Sequence, residues 1–203
     1  MSPHSAPAPG RRSSRSAAPP EGFRYLSDLL APEDESGLIA RIRELPLKEF
    51  EFQGYIAKRR VVYYGWQYSY GERRLGPAEA IPEFLLPLRE RAASFAGLAA
   101  ADLVQALVAE YRRGTPIGWH RDKPMFGDVV GVSLLSPCVL RFRRRTGPSS
   151  WERHSLTAEP RSAYLLSGPA RNEWEHSIPA VAALRYSVTF RTLAKETIET
   201  MRR

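Results

Sequence analysis

Apolar residues recur at two different periods along this chain. Over residues 29–45, Leu38, Ile39 and Ile42 form a stripe at helical spacing. Pro32 opens the segment, Glu33, Asp34 and Glu35 fill the first turn, and Pro46 stops it. A second helix is predicted over 82–95, with Phe84, Leu85, Leu88 and Ala92 on one side. Beyond Leu103 the period shortens to two. Segments rich in β-branched and aromatic residues follow one another between Gly and Pro, at 104–112, 129–135, 139–145, 153–156, 163–166 and 186–192. Helices first and then many short strands predict a mainly-β sandwich or barrel with helices packed outside.

The first 22 residues lack either period. They are dominated by Pro, Ser, Ala and Arg and hold nothing that would bury a core, so they read as a disordered tail, and 23–203 as one folded domain. The chain carries 30 basic and 22 acidic residues, a net charge of +8. That balance permits a polyanionic partner. Cys138 is the single cysteine, which excludes an intramolecular disulfide and any zinc site built on several cysteines. No apolar run reaches the roughly 18–20 residues of a spanning helix, and the start lacks a signal-peptide pattern. The expectation is a soluble, cytoplasmic protein with no membrane partner.

The candidate chemistry begins at Gly118-Trp119-His120-Arg121-Asp122. On extended backbone, side chains two apart point the same way, so His120 and Asp122 can chelate one cation. His176, in Trp174-Glu175-His176-Ser177, supplies a second imidazole far along the chain. Two histidines and one carboxylate on one face of an octahedron are the donor set of non-haem Fe(II) oxygenases, with open positions for a chelating co-substrate and O₂. A lone His-x-Asp is common by chance. The other two histidines, His4 and His154, lack this context.

Downstream, Arg185, Ser187, Thr189 and Arg191 alternate with Tyr186, Val188 and Phe190. A strand with one face in water gives this pattern. So does a strand whose polar face lines a barrel interior, where Arg185 would clamp a dicarboxylate through paired charge-assisted hydrogen bonds.

Taken jointly, His120-x-Asp122, His176, and Arg185 followed by Arg191 resemble the AlkB family of Fe(II)/2-oxoglutarate-dependent dioxygenases. The flanking words Gly168-Pro169-Ala170-Arg171 and Arg185-Tyr186-Ser187-Val188-Thr189-Phe190-Arg191 agree, and the resemblance covers roughly residues 55–193. It implies a double-stranded β-helix, or jelly roll, with flanking helices, in a protein expected to be a monomer. It implies Fe(II) held by His120, Asp122 and His176. Arg185 would bind the far carboxylate of 2-oxoglutarate, with Tyr111, Ser187 and Arg191 as further co-substrate contacts. Two positions depart from the family pattern: Ala109 replaces an asparagine that hydrogen-bonds 2-oxoglutarate, and Pro124 replaces an acidic residue that reads the base in some members.

Residues 58–74 crowd Tyr63, Tyr64, Trp66, Tyr68 and Tyr70 between Lys58, Arg59, Arg60 and Arg73, Arg74. Aromatic faces stack on bases and cations neutralise phosphates. The family covers its target nucleotide with a segment of this kind. Residues 55–80 are therefore read as a nucleotide-recognition lid, with Tyr64, Trp66, Tyr68 and Tyr70 on one face. The implied activity is oxidative dealkylation of N-alkylated bases in DNA or RNA. The alternative is the same chemistry on RNA modifications or on a protein side chain.

Overall fold

A computed structural model describes residues 18–52, 55–69 and 74–201. The tail reading for 1–17, and Tyr70 and Arg73 of the lid reading, lie outside the described residues.

Strand β1 (Phe23–Leu26) leads to helix α1 (Pro32–Arg43), then β2 (Lys48–Phe52), β3 (Tyr55–Tyr64), β4 (Trp66–Ser69) and β5 (Arg74–Pro77). Helix α2 (Leu86–Ala96) precedes β6 (Gln105–Tyr111), β7 (Ile117–His120), β8 (Phe126–Leu134), β9 (Cys138–Arg145), β10 (Trp151–Ala158) and β11 (Ala163–Leu166). Short helix α3 (Gly168–Asn172), β12 (Glu175–Ile178), β13 (Arg185–Leu193) and α4 (Lys195–Met201) complete the chain. Helix α1 starts at its proline with acids in the first turn and arginines in the last, as its charge pattern dictates.

The strands form a seven-stranded sheet, β1-β11-β8-β13-β6-β3-β2, facing a four-stranded sheet, β10-β9-β12-β7. A separate hairpin pairs β4 with β5. All pairings are antiparallel. This is the expected jelly roll.

The strand alternation distributes residues between two cores. One phase of the large sheet, including Ala106, Val108, Val130, Val132, Tyr186, Val188 and Phe190, packs on α1 and α2 through Ile39, Ile42, Leu88 and Ala92. The other phase, including Val61, Leu107, Ala109, Tyr111, Val129 and Tyr164, meets Leu140, Phe142 and Trp174 in the space between the sheets. The polar residues Arg185, Ser187 and Thr189 are buried and share that inner phase. Helices therefore cover one face of the large sheet, and the sandwich interior combines an apolar core with a buried polar row.

The chain 55–80 divides in two. Residues 60–64 of β3 pair with β6 in the large sheet, so this stretch is scaffold rather than lid. Only the β4–β5 hairpin stands apart. Gly65 separates the two: its φ is +78°, and a Cβ there would meet the Val104 carbonyl oxygen at 2.0 Å. The left-handed kink breaks the alternation between Tyr64 and Trp66.

Candidate active site

His120 ends β7 and is the register partner of His176 on β12. Antiparallel pairing thus aligns two histidines that are far apart in sequence, and their ring centroids stand 4.2 Å apart. The His120 Nδ1 is 2.9 Å from the Gly118 carbonyl oxygen, which as acceptor leaves Nε2 as the nitrogen with a free lone pair. Asp122 follows β7 with its side chain 7% exposed, and its Oδ2 lies 3.6 Å from His176 Nε2. Two ligands on adjacent octahedral positions lie about 3 Å apart when each bond is about 2.1 Å. The His176–Asp122 pair therefore needs only a small side-chain rotation to share one ion. Among the described residues, however, no three His, Cys, Asp or Glu donors stand already converged on a point. The two oxygens of Asp122 are divided: Oδ1 accepts hydrogen bonds from Arg191 Nε at 2.9 Å and Nη2 at 2.6 Å, and Oδ2 is the one that lies near His176.

Electrostatics prepares these groups to act as ligands. Burial pushes His176 down to about 3, with the adjoining His120 ring and the Arg191 and Arg171 guanidinium groups adding to it and Asp122 opposing it. Burial also lowers His120, against the pull of Asp122. Both rings are neutral at pH 7, as metal coordination requires. Burial opposes ionisation of Asp122, but Arg191, His176, His120 and Arg171 together hold its carboxyl well below the usual range.

Arg171, on α3, is buried and fastens the loop that follows Asp122. Its Nε donates to the Gly127 carbonyl at 2.8 Å, and its Nη2 donates to Lys123 and Phe126 carbonyls at 2.7 and 2.8 Å. Pro124, in that loop, is exposed.

At the other end of the interior, Arg185 is 1% exposed and one of the largest fully buried side chains. Its Nε donates to Ser133 Oγ at 3.1 Å, and the guanidinium lies over the Tyr111 ring at 5.0 Å. Its Nη1 is buried without a hydrogen-bond partner among the described residues. A buried guanidinium with an idle donor is costly unless an anion completes it. That idle donor is the feature expected where a diacid binds. Arg191, by contrast, is fully committed to Asp122 and to Gln105 Oε1, which accepts from Nη1 at 2.8 Å. Six residues along a strand span about 20 Å, so the two guanidinium groups do not serve one carboxylate. Ala109 faces Ser187 across β6 and β13. The amide expected at position 109 is thus absent, and Ser187 and Tyr111 are the hydrogen-bonding side chains beside it.

The hairpin residues fall into two classes. Tyr68 stacks under Lys123 Nζ, 3.6 Å from its ring centroid, so the hairpin reaches the loop after Asp122. The Trp66 carbonyl accepts a hydrogen bond from Gln105 Nε2. Tyr64 is a correction: it is 2% exposed in the core under the helices, because it belongs to β3 before the Gly65 kink and points away from the site. Tyr63, on the opposite phase, packs against the inner core instead.

Sequence reasoning did not select Gln105, Ser133 and Tyr164 as functional. Gln105 and Ser133 had a usable signal, being polar positions in the same phase as Tyr111 and Gly131 on mostly apolar strands. Tyr164 lies across Gly131, its register partner, where a Cβ would fall 2.2 Å from the ring.

Comparison with known proteins bears on this arrangement. Residues 22–191 match the family model described as the 2OG-Fe(II) oxygenase superfamily. The chain belongs to that superfamily. It is an AlkB-like Fe(II)/2-oxoglutarate dioxygenase domain, with Fe(II) as cofactor and 2-oxoglutarate as co-substrate. An Arabidopsis thaliana protein named "Alkylated DNA repair protein ALKBH8 homolog" is 35% identical over 181 residues, 78% of this chain and 51% of that protein. The chain thus spans about half the length of that relative. The human "Alpha-ketoglutarate-dependent dioxygenase alkB homolog 4" is 26% identical over 215 residues, covering 89% of this chain and 70% of its own. Among solved structures, OsALKBH1 superposes with a TM-score of 0.60 at 17% identity, covering 86% of this chain and all of that one. A Pseudomonas putida prolyl-4-hydroxylase does so with a TM-score of 0.58 at 16% identity, covering 86% and 93%. These last two share the fold. No helix among the described residues is long and apolar enough to cross a membrane.

Proposed function

We propose that this domain oxidatively dealkylates N-alkylated nucleobases in DNA or RNA, with His120, Asp122 and His176 as the iron ligands. The observation that carries the site assignment is the idle Nη1 of buried Arg185, in the same interior as the histidine pair. A diacid whose far carboxylate meets Arg185 satisfies that donor, and Tyr111 and Ser187 flank it. His120, Asp122 and His176 would hold the metal that its keto-acid end would chelate.

When bound, Fe(II) supplies O₂ activation coupled to decarboxylation of 2-oxoglutarate. That chemistry would leave succinate, CO₂ and a hydroxylated N-alkyl carbon. The resulting hemiaminal collapses to the free base and an aldehyde. The chain's own residues bind and orient. Arg191 keeps Asp122 ionised and fixes its rotamer, and Arg171 fastens the loop that carries it. Trp66 and Tyr68 supply aromatic faces for an unstacked base beside the site. An alkyl group on the pairing edge weakens pairing, which lowers the cost of flipping that base out.

The test is mass spectrometry of DNA and RNA oligonucleotides carrying different N-alkyl bases, with and without 2-oxoglutarate and Fe(II). Loss of the alkyl mass with stoichiometric succinate is expected. Succinate production driven by a peptide and not by any oligonucleotide would replace the nucleobase reading with protein hydroxylation.

A further inference from the structure

The small sheet turns an unusual face to solvent. Its inner phase carries Phe142 and His176, while its outer phase carries Val139, Arg141, Arg143 and Arg145 on β9 and Trp151, Arg153, Ser155 and Thr157 on β10. Trp119, on edge strand β7, joins this face next to His120. Val139 and Trp151 are 42% and 36% exposed, two of the few large apolar side chains so placed among the described residues.

The arginines and tryptophans form a ladder. Arg141 and Arg143 lie over the Trp119 ring at 5.0 and 4.5 Å. Arg143 also lies 4.5 Å from the Trp151 ring, and Arg145 lies 5.8 Å from it. Ser177 Oγ accepts from Arg141 Nε at 3.1 Å, Glu175 accepts from Arg143 Nε at 2.5 Å, and the Pro148 carbonyl accepts from Arg145 Nη2 at 2.7 Å. The guanidinium planes are therefore held before any partner arrives, which reduces the ordering cost of binding. Among the described residues, the four arginines on this face meet one carboxylate, Glu175. The remaining arginine of β9, Arg144, is on the other phase and is neutralised by Glu152 and Glu173 at 2.8 Å each. Successive arginines two residues apart stand about 7 Å apart, close to the interval between phosphates of an extended strand.

We propose that this face is a second binding surface, for a single-stranded stretch of nucleic acid, leading away from the active-site edge at β7 toward β10. Guanidinium groups grip phosphates as paired donors, and the indoles offer stacking surface to bases whatever the sequence. An acidic peptide would use the charges but leave the exposed indole unused. The proposal rests on the nucleobase reading only in taking the bound strand to be the one that carries the target.

The test uses the full chain with a fluorescein-labelled, unalkylated 20-nucleotide strand, as RNA and as DNA, and with polyglutamate of similar charge. Anisotropy titrations compare the wild type, Trp151→Ala, Arg145→Glu/Arg153→Glu and Trp66→Ala. The β9–β10 variants are expected to weaken strand binding at least tenfold and the charge reversals to flatten its salt dependence. In Trp151→Ala and Arg145→Glu/Arg153→Glu, succinate formation without nucleic acid stays at the wild-type rate, which also reports that these two variants are folded. A strand carrying 5-bromouridine should crosslink under ultraviolet light to a peptide containing Trp151 or Trp119. Unchanged affinity in the β9–β10 variants, with all binding lost in Trp66→Ala, would confine the strand to the hairpin and overturn the proposal. So would equal binding of polyglutamate, or no binding of any strand by the wild type. Strand binding that depends on Trp151, without dealkylation of any base, would instead remove the nucleobase reading and leave this surface standing.

Discussion

Gln105 and Arg191 are register partners across β6 and β13, and the Gln105 amide oxygen accepts from Arg191 Nη1 at 2.8 Å. The same Gln105 donates from Nε2 to the Trp66 carbonyl, and Arg191 holds Asp122. One buried amide thus links the aromatic hairpin to a proposed iron ligand. Replacing it with leucine leaves the Trp66 carbonyl and an Arg191 donor without partners, a loss of about 1–3 kcal/mol in stability. Gln105→Leu is expected to loosen Fe(II) retention and to raise succinate formation relative to dealkylated base. Gln105→Glu keeps an acceptor for Arg191 but loses the donor to Trp66, so it should preserve iron affinity while still uncoupling. Equal behaviour of the two variants would separate the hairpin from the metal centre.

Arg185→Ala removes the anchor proposed for the far carboxylate. Breaking a buried charged pair costs about 2–4 kcal/mol, so the apparent KM for 2-oxoglutarate should rise more than tenfold with Fe(II) affinity little changed. Steady-state succinate assays against 2-oxoglutarate concentration read this directly, and an unchanged KM contradicts the clamp.

His120→Ala, Asp122→Ala and His176→Ala should each abolish succinate formation. Fe(II) binding by anaerobic titration separates a missing ligand from a collapsed fold, since the wild type should saturate at one ion per chain.

Tyr64 and Trp66 stand on opposite sides of the Gly65 kink and should respond differently. Tyr64→Ala opens a cavity in the helix-covered core and should cost about 3–5 kcal/mol of stability, while Tyr64→Phe should leave substrate binding untouched. Trp66→Ala should impair dealkylation more than uncoupled turnover. Equal losses in both readouts would make Trp66 a core residue as well.

The buried neutral histidines impose an acid sensitivity on the metal-free chain. Both are lowered from the ordinary histidine value, His176 to about 3. The unfolded chain therefore takes up protons that the folded chain refuses as pH falls below about 6.5, and stability drops with it. Denaturant titrations of apo-protein at pH 7 and pH 5 should show the lower midpoint at pH 5. His176→Phe should reduce that difference.

The amino-acid sequence by itself determined a candidate donor set and a two-faced strand, and the chemistry entered through the family resemblance that they carry jointly. A His-x-Asp pair, a distant histidine and an alternating Arg-x-Ser-x-Thr-x-Arg strand are local patterns, and side-chain period is a property of backbone geometry that needs no fold to be read. The period also specified most of the β6–β13 strands and the helix that begins at Pro32. Tertiary structure decided what lies across from what. Pairing of β7 with β12 put His120 beside His176, and sheet closure turned the Arg185 face inward rather than to water. A single left-handed glycine sent Tyr64 to the core and Trp66 to the hairpin. Such outcomes depend on strand register and on which face of a sheet is covered. Those are long-range choices, made by the burial of the whole chain and not by any one segment.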